Sequence, residues 1–214
     1  MPRRDYYAPG TPSWVDLGSP DVAASVRFYG DLFRWKAVVA DAAAGYTMCF
    51  LRDRPVAGVG PQTRPGPPAW TTYVTVESAD DTLEAARRAG ARILREPTDV
   101  VDAGRTGMFA DPQGAVIAVW QPKAHQGAAL VNEPGTLAWN ELVTSHPAQA
   151  RDFYGSVFGW DSETHDMGPM TYTEWKLGAE SVGGMAELGP PFPPGLPPSW
   201  MTYFAVDDCD KAVA

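Results

Sequence analysis

The residues best suited to chemistry in this chain are a tryptophan and an acid two positions apart. The pair occurs twice, as Trp14 with Asp16 and as Trp139 with Glu141. Alternation along Trp14-Val15-Asp16-Leu17 puts the indole and the carboxylate on one face of a strand, with Val15 and Leu17 on the other. An indole beside a carboxylate suits a planar, partly cationic molecule. Stacking contributes about 0.5–1.5 kcal/mol per ring beyond buried area, and cation–π contact about 0.5–2 kcal/mol. A carboxylate so placed is also a candidate general base. Other reactive residues are sparse. His125, His146 and His165 fall in a linker, at a helix start and in a loop, and read as surface residues. Cys49 and Cys209 stand in no metal or redox spacing and read as buried thiols of a reducing compartment. No Gly-rich phosphate loop, nucleophile elbow or paired-cysteine motif is present.

The first pair sits on a strand that turns directly into a helix. Ser19 is placed to cap that helix, Pro20 suits its first turn, and Asp21 complements its positive end. Val22, Val26, Tyr29 and Phe33 then recur at helical spacing as one apolar stripe. Gly30, inside the helix, costs about 1 kcal/mol relative to Ala and signals a close backbone approach.

The same stretch returns between Gly135 and Trp160, with about ten ungapped identities including Trp14, Phe28, Tyr29, Gly30, Phe33 and Trp35. Trp70-Thr71-Thr72-Tyr73 is answered by Trp200-Met201-Thr202-Tyr203, so the chain is a duplication. Each half divides into β-α-β-β-β units. Expected strands near 46–51, 56–60, 70–76, 92–94, 107–110 and 115–120 build the first half, and strands near 172–177, 182–188 and 200–206 the second. The reading gives a first domain over 10–122, a linker over 123–134 and a second domain over 135–214, incomplete at its C-terminal side. The Pro-rich loop at 189–198 matches a shorter one at 61–69 and reads as a stiff connector.

A hydrophobic share of 44% and a charged share of 20% over 214 residues support a folded chain with a sizeable core. A net charge of -9 argues against nucleic acid or an anionic membrane as partner. No signal peptide or run of membrane-spanning length is visible, so the expected location is cytoplasmic. The expected partner is a small molecule, and a homodimer is left open.

The strand followed by Asp21…Ser25…Phe28-Tyr29, with Asp111-Pro112-Gln113-Gly114-Ala115 closing the domain, resembles the vicinal oxygen chelate superfamily of glyoxalases, bleomycin-resistance proteins and extradiol dioxygenases. The two-domain actinobacterial members are the nearest in pattern. The resemblance implies an α+β fold of tandem paired units whose mixed sheets curl around concave pockets, with the second domain truncated. It also implies where a metal would sit. Members place His, Gln or Glu at the positions held here by Trp14 and Trp139, by about Thr71 and Met201, and by Ala118. Trp, Met and Ala cannot ligate a divalent ion, Thr is a poor substitute, and Glu187 stands out of register and alone, so no metal or other cofactor is expected.

If Trp14 holds the old ligand position, it faces the concave side. Parity then brings Asp16, Tyr73 and Trp120 to the same side, and Trp139, Glu141 and Tyr203 in the second half. These seven residues are the expected ligand-binding set, and no catalytic residue is assigned. The leading function is metal-free binding of a hydrophobic or planar, possibly cationic, metabolite. The alternatives are a glyoxalase-like lyase or dioxygenase, a metal-free enzyme using Asp16 or Glu141 as base, and a regulatory interaction module of the kinase-inhibitor type. Against a ligand role stands an ordinary aromatic core in which the acids pair with an arginine such as Arg27, Arg105 or Arg151.

Overall fold

The computed structural model describes residues 3–41, 44–63, 65–168, 171–189 and 192–213. Parts of both Pro-rich connectors, at 64 and 190–191, lie outside the described residues. The first unit comprises β1 (Pro12–Ser19), α1 (Val22–Phe33), β2 (Lys36–Asp41), β3 (Tyr46–Leu51) and β4 (Arg54–Pro61). The second repeats the order with β5 (Ala69–Thr75), α2 (Ala79–Arg88), β6 (Arg92–Val100), β7 (Gly104–Ala110) and β8 (Val116–Pro122). The third has β9 (Leu137–Thr144), α3 (Pro147–Phe158), β10 (Asp161–Asp166), β11 (Thr171–Leu177) and β12 (Glu180–Glu187), followed by β13 (Ser199–Phe204) and α4 (Cys209–Val213). The α+β class and the paired units stand as expected.

Units one and two join through their first strands. β1 runs antiparallel to β5, giving an eight-stranded sheet in the order β2-β3-β4-β1-β5-β8-β7-β6. β9 and β13 join in the same way at one end of a five-stranded sheet, β10-β11-β12-β9-β13. Each first strand pairs in parallel with the last strand of its own unit where that strand is present, as β1 with β4 and β5 with β8.

The helix-bearing faces of the two sheets share one core. Val74, Leu83, Phe109, Ile117 and Val119 pack in the same cluster as Leu142, Phe153, Tyr154, Trp175 and Trp200. A buried hydrogen bond from Thr72 Oγ1 to Asn140 Oδ1, 2.8 Å, ties the sheets on that side. The aromatic layer is itself duplicated. Trp70 Nε1 donates to Tyr29 Oη at 3.1 Å, and Trp200 Nε1 to Tyr154 Oη at 2.9 Å. With the helical faces back to back, the strand residues of opposite parity are left to line the concave faces.

Four local expectations change, the last of them at Cys209. Asp21, not Ser19, caps α1, its Oδ1 accepting from Ala24 N at 2.8 Å, while Ser19 Oγ accepts from Asp21 N and meets Ser25 Oγ. β6 runs on to Val100 instead of stopping near 94. β10 was not anticipated at all: Asp-Ser-Glu-Thr-His-Asp is exposed throughout, because an edge strand with both faces wet needs no apolar alternation. Gly30 behaves as expected, since a Cβ there would sit 3.4 Å from Trp35 O, as one on Gly155 would sit 3.2 Å from Trp160 O. Cys49 is buried but Cys209 is exposed. Among the described residues no helix is long and apolar enough to cross a membrane.

Candidate functional site

On the concave face of the larger sheet, β1 and β5 pair in a register that sets Trp14 opposite Tyr73 and Asp16 opposite Thr71. A chain of hydrogen bonds crosses it. Trp14 Nε1 donates to Tyr46 Oη at 3.2 Å, Tyr46 Oη donates to Asp16 Oδ2 at 3.4 Å, and Tyr73 Oη donates to the same Oδ2 at 2.8 Å. Tyr46 reaches this position because β4 carries glycine beneath it: a Cβ on Gly58 would overlap the Tyr46 hydroxyl. Burial raises the Asp16 pKa to about 6, opposed by the Tyr73 bond, the positive field of Arg95 and the Tyr46 bond. Both tyrosine hydroxyls are pushed well above their ordinary value, chiefly by burial and then by the negative charge of Asp16.

The rest of this face is covered by the protein's own rings. Trp120 Nε1 donates to His125 O at 2.8 Å, and the His125 ring stands edge-on to Trp14 with centroids 4.5 Å apart. Trp14, Tyr73 and Trp120 are buried, and Asp16 alone of the four keeps part of its surface open. His125 Nε2 is buried without a partner among the described residues, and burial lowers the His125 pKa to about 4. The expectation that all three histidines lie on the surface holds for His146 and His165 and fails for His125.

The smaller sheet repeats the arrangement. Trp139 Nε1 donates to Tyr172 Oη at 2.8 Å, Tyr203 Oη donates to Glu141 Oε1 at 2.9 Å, and Gly184 lies beneath Tyr172 as Gly58 lies beneath Tyr46. Burial, and then Glu141, push the Tyr203 hydroxyl up to about 12. Here the rings are more exposed and the acid less: Glu141 is buried, Trp139 is half-buried and Tyr203 is 41% exposed.

The structure therefore brings Trp14, Asp16, Tyr73 and Trp120 together on one concave face and Trp139, Glu141 and Tyr203 together on another. Neither acid pairs with Arg27, Arg105 or Arg151; Arg105 is held by Asp80 and Asp99, and both acids take tyrosine hydroxyls instead. Sequence reasoning missed Tyr46 and Tyr172. The repeated Tyr-Thr at 46–47 and 172–173, each followed by a strand rich in glycine, was the signal that could have found them.

The donors do not fit a divalent ion. Indoles occupy the first-strand positions, Met201 and Thr71 the second, and Ala118 the last, and among the described residues no three His, Cys, Asp or Glu side chains gather. Glu187 is exposed at the end of β12 and opposite Thr144, with strand parity contrary to that of Glu141.

Comparison with known proteins gives a consistent picture. The model of the Glyoxalase/Bleomycin resistance protein/Dioxygenase superfamily matches residues 11–119. A Mycobacterium tuberculosis protein, CFP32, named as a candidate glyoxylase, is 40% identical over 223 residues, spanning 100% of this chain and 84% of that protein. The Streptomyces peucetius anthracycline biosynthesis protein DnrV is 40% identical over 224 residues, spanning 97% of this chain and 81% of its own length. Among solved structures, a Mn(II)-bound glyoxalase from Novosphingobium aromaticivorans superposes with a TM-score of 0.62 at 15% identity, covering 89% of this chain and 64% of that one. The catechol dioxygenase BphC gives 0.61 at 13% identity, covering 84% and 65%. At those identities the solved structures speak for the fold alone, and this chain spans less than two thirds of either.

Proposed function

Because the chain belongs to the glyoxalase, bleomycin-resistance and dioxygenase superfamily, we propose that it uses the concave architecture of that group to bind a planar, hydrophobic small molecule without a metal. The observation that carries this reading is the twofold construction of an indole, two tyrosines and an acid where a metal-dependent site would need imidazole and carboxylate ligands. The rings offer stacking surface, and the acid takes a hydroxyl or ammonium donor from the ligand. The two faces differ in readiness. Rings and His125 cover much of the Asp16 face while Asp16 itself stays partly open, whereas on the other face Glu141 is buried beside a half-buried Trp139 and a 41% exposed Tyr203. The Streptomyces relative is named for anthracycline biosynthesis. A fused-ring aromatic of that class presents a flat face together with hydroxyl and ammonium donors, the features this site would take.

The test is a titration of intrinsic tryptophan fluorescence with proflavine, a planar cation, and quinizarin, a planar diol, against an anionic anthraquinone sulfonate. Saturable quenching by the first two, weakened about tenfold by Glu141→Gln, is the expected result. Absence of saturation by both in the unmodified protein rejects the reading.

A second reading rests on Asp16. Both tyrosines bond Oδ2, leaving Oδ1 without a hydrogen bond among the described residues, on a carboxylate whose pKa lies near 6. Such a group is poised to take a proton from a carbon or oxygen acid near neutral pH. If it does, Asp16→Asn abolishes turnover of a substrate bound on that face, whereas Glu141→Gln, on the other sheet, leaves the turnover unchanged.

A further inference from the structure

Strand β6 sorts its charges by face. Its acids turn to the helix side, where Glu96 meets Arg87 of α2 at 2.9 Å and Asp99 meets Arg105, itself bound to Asp80 of α2, at 3.2 Å. Its arginines turn the other way. Arg95 stands opposite Met108, Met108 opposite Ala118, Ala118 opposite Tyr73 and Tyr73 opposite Trp14, a cross-strand row that puts all five side chains on one face. The irregularity of β6 at 93–95 does not turn Arg95 away, since Leu94 packs with Trp14 and Tyr73 while Ile93 joins the helix-side core. Arg92 reaches the same concave face through Ala110 and Val116. Neither arginine has an ion-pair partner among the described residues, although acids outnumber lysines and arginines by 26 to 17 in the chain. On a flat sheet the row would hold Arg95 four strand spacings of about 4.8 Å from Trp14. Its positive field nevertheless reaches Asp16, so the sheet curls until its β6 edge looks back at β1. Asp16 keeps open surface at the bottom of that concavity, and its Oδ1 is not sealed from solvent.

We infer that the concave face of the larger sheet takes a flat aromatic carboxylate with a hydroxyl at its far end, Arg95 holding the carboxylate and Asp16 Oδ1 accepting from the hydroxyl. This rests on the reading that the concave faces bind planar small molecules, and it narrows the class for this face to hydroxylated aromatic acids. Arg95 and Asp16 confront each other without forming an ion pair, which leaves each charge to a ligand that spans the gap. The orientation follows from the charges. A carboxylate laid against Asp16 would be repelled, whereas the guanidinium fork of Arg95 matches it with two parallel bonds. Trp14 and Tyr73 lie between the two ends in the same row and give the ring an apolar floor. Arg92, exposed at the rim, adds attraction for an anion entering from solvent.

The experiment titrates three probes by calorimetry at about pH 7.5, where Asp16 is ionised. They are p-coumarate, which carries both groups, cinnamate, which lacks the hydroxyl, and p-coumaramide, which lacks the charge. The proteins are the unmodified chain, Arg95→Met, Arg95→Lys and Asp16→Asn. Saturable binding of p-coumarate, about tenfold tighter than that of p-coumaramide, is expected in the unmodified protein. Arg95→Met should erase that preference by weakening p-coumarate and leaving p-coumaramide little changed, and Arg95→Lys should keep part of it. Asp16→Asn should shrink the advantage of p-coumarate over cinnamate and leave its advantage over p-coumaramide. A merely structural role for Arg95 would weaken all three probes alike. Without any variant, the Arg95 Nε–H resonance should shift with p-coumarate and stay in place with p-coumaramide. The inference is overturned if the unmodified protein binds the acid no better than the amide, or if the preference survives Arg95→Met. It falls alone if p-coumarate fails to saturate up to about 5 mM while quinizarin binds, and together with the planar-ligand reading if neither binds.

Discussion

Tyr73 donates to Asp16 at 2.8 Å across the β1–β5 pairing, and the oxygen that receives this bond also receives the longer one from Tyr46. The carboxylate is consequently ionised against burial only with two phenols supporting one of its oxygens. In the second half Tyr203 donates to Glu141 in the same way, at 2.9 Å. An acid on a concave sheet face is usually read as an arginine partner's counter-ion, and here the counter-group is neutral. That leaves the charge itself available to a ligand.

Removing the shorter bond tests how much of this support is real. Tyr73→Phe takes away an interaction that lowers the Asp16 pKa, so the value should climb above about 6. A hydrogen bond to a charged group contributes about 1.5–3 kcal/mol, and the loss should be felt most where Asp16 is ionised. Carboxyl-carbon NMR titration of the variant reads the shift directly. An unchanged midpoint would mean that Tyr46 and Arg95 suffice.

Asp16 and His125 should pull stability in opposite directions over one pH range. The folded-state pKa of Asp16, about 6, lies above its ordinary 3.8, so its contribution is complete below pH 3.8 and lost as pH rises through 6. The folded-state pKa of His125, about 4, lies below its ordinary 6.5, so its contribution is complete above pH 6.5 and lost as pH falls toward 4. Each unit of displacement is worth about 1.4 kcal/mol at most. Urea unfolding between pH 4 and 6.5 should therefore show stability rising with pH in Asp16→Asn, falling with pH in His125→Phe, and flatter than either in the unmodified protein. Asp16→Asn should also be the more stable protein at pH 7. Parallel profiles for the two variants would remove both assignments.

Phe28 and Phe153 offer the cleanest comparison that a duplication provides, the same residue at the same helical position in two environments. Phe153→Ala empties a core position between Phe109 and Tyr154 and should cost about 3–5 kcal/mol. Phe28→Ala removes a largely exposed ring and should cost well under 1 kcal/mol. Denaturant midpoints of the two variants decide it, and equal losses would contradict the exposure of Phe28.

The duplication made most of the fold legible, because each unit could be read twice and the glycines, tryptophans and Asp-Pro turn fixed its boundaries. Parity then carried Trp14, Asp16, Tyr73 and Trp120 to one face without any knowledge of sheet order. It failed where the deciding fact was not periodic. β10 carries no apolar alternation for parity to act on, since both of its faces are wet. Tyr46 acts at Asp16 only because glycine at 58 lets its ring lie across a neighbouring strand, a relation between residues on different strands. His125 read as surface because linker residues usually are, but hydrogen bonds from Lys123 N and His125 N to Ala103 O fold that segment back over Trp14 and Trp120. Local spacing does not encode a linker's return path.

The Asp111 turn joins the two halves, and its energetics should show it. Oδ1 accepts from Gln113 N and Ala115 N, each at 2.9 Å, which closes the β7–β8 turn, while Oδ2 accepts from Tyr154 Oη in the other half. Asp111→Ala deprives all three donors, two of them buried, and should cost about 2–4 kcal/mol. Tyr154→Phe removes only the crossing bond but also leaves Trp200 Nε1 without its acceptor, so it should cost about 1–3 kcal/mol. Because both changes delete the same contact, the double variant should be more stable than the sum predicts by about 0.5–3 kcal/mol. Strict additivity in denaturant unfolding would show that the turn and α3 are held together by Phe109 and its neighbours alone, with the carboxylate serving only its own hairpin.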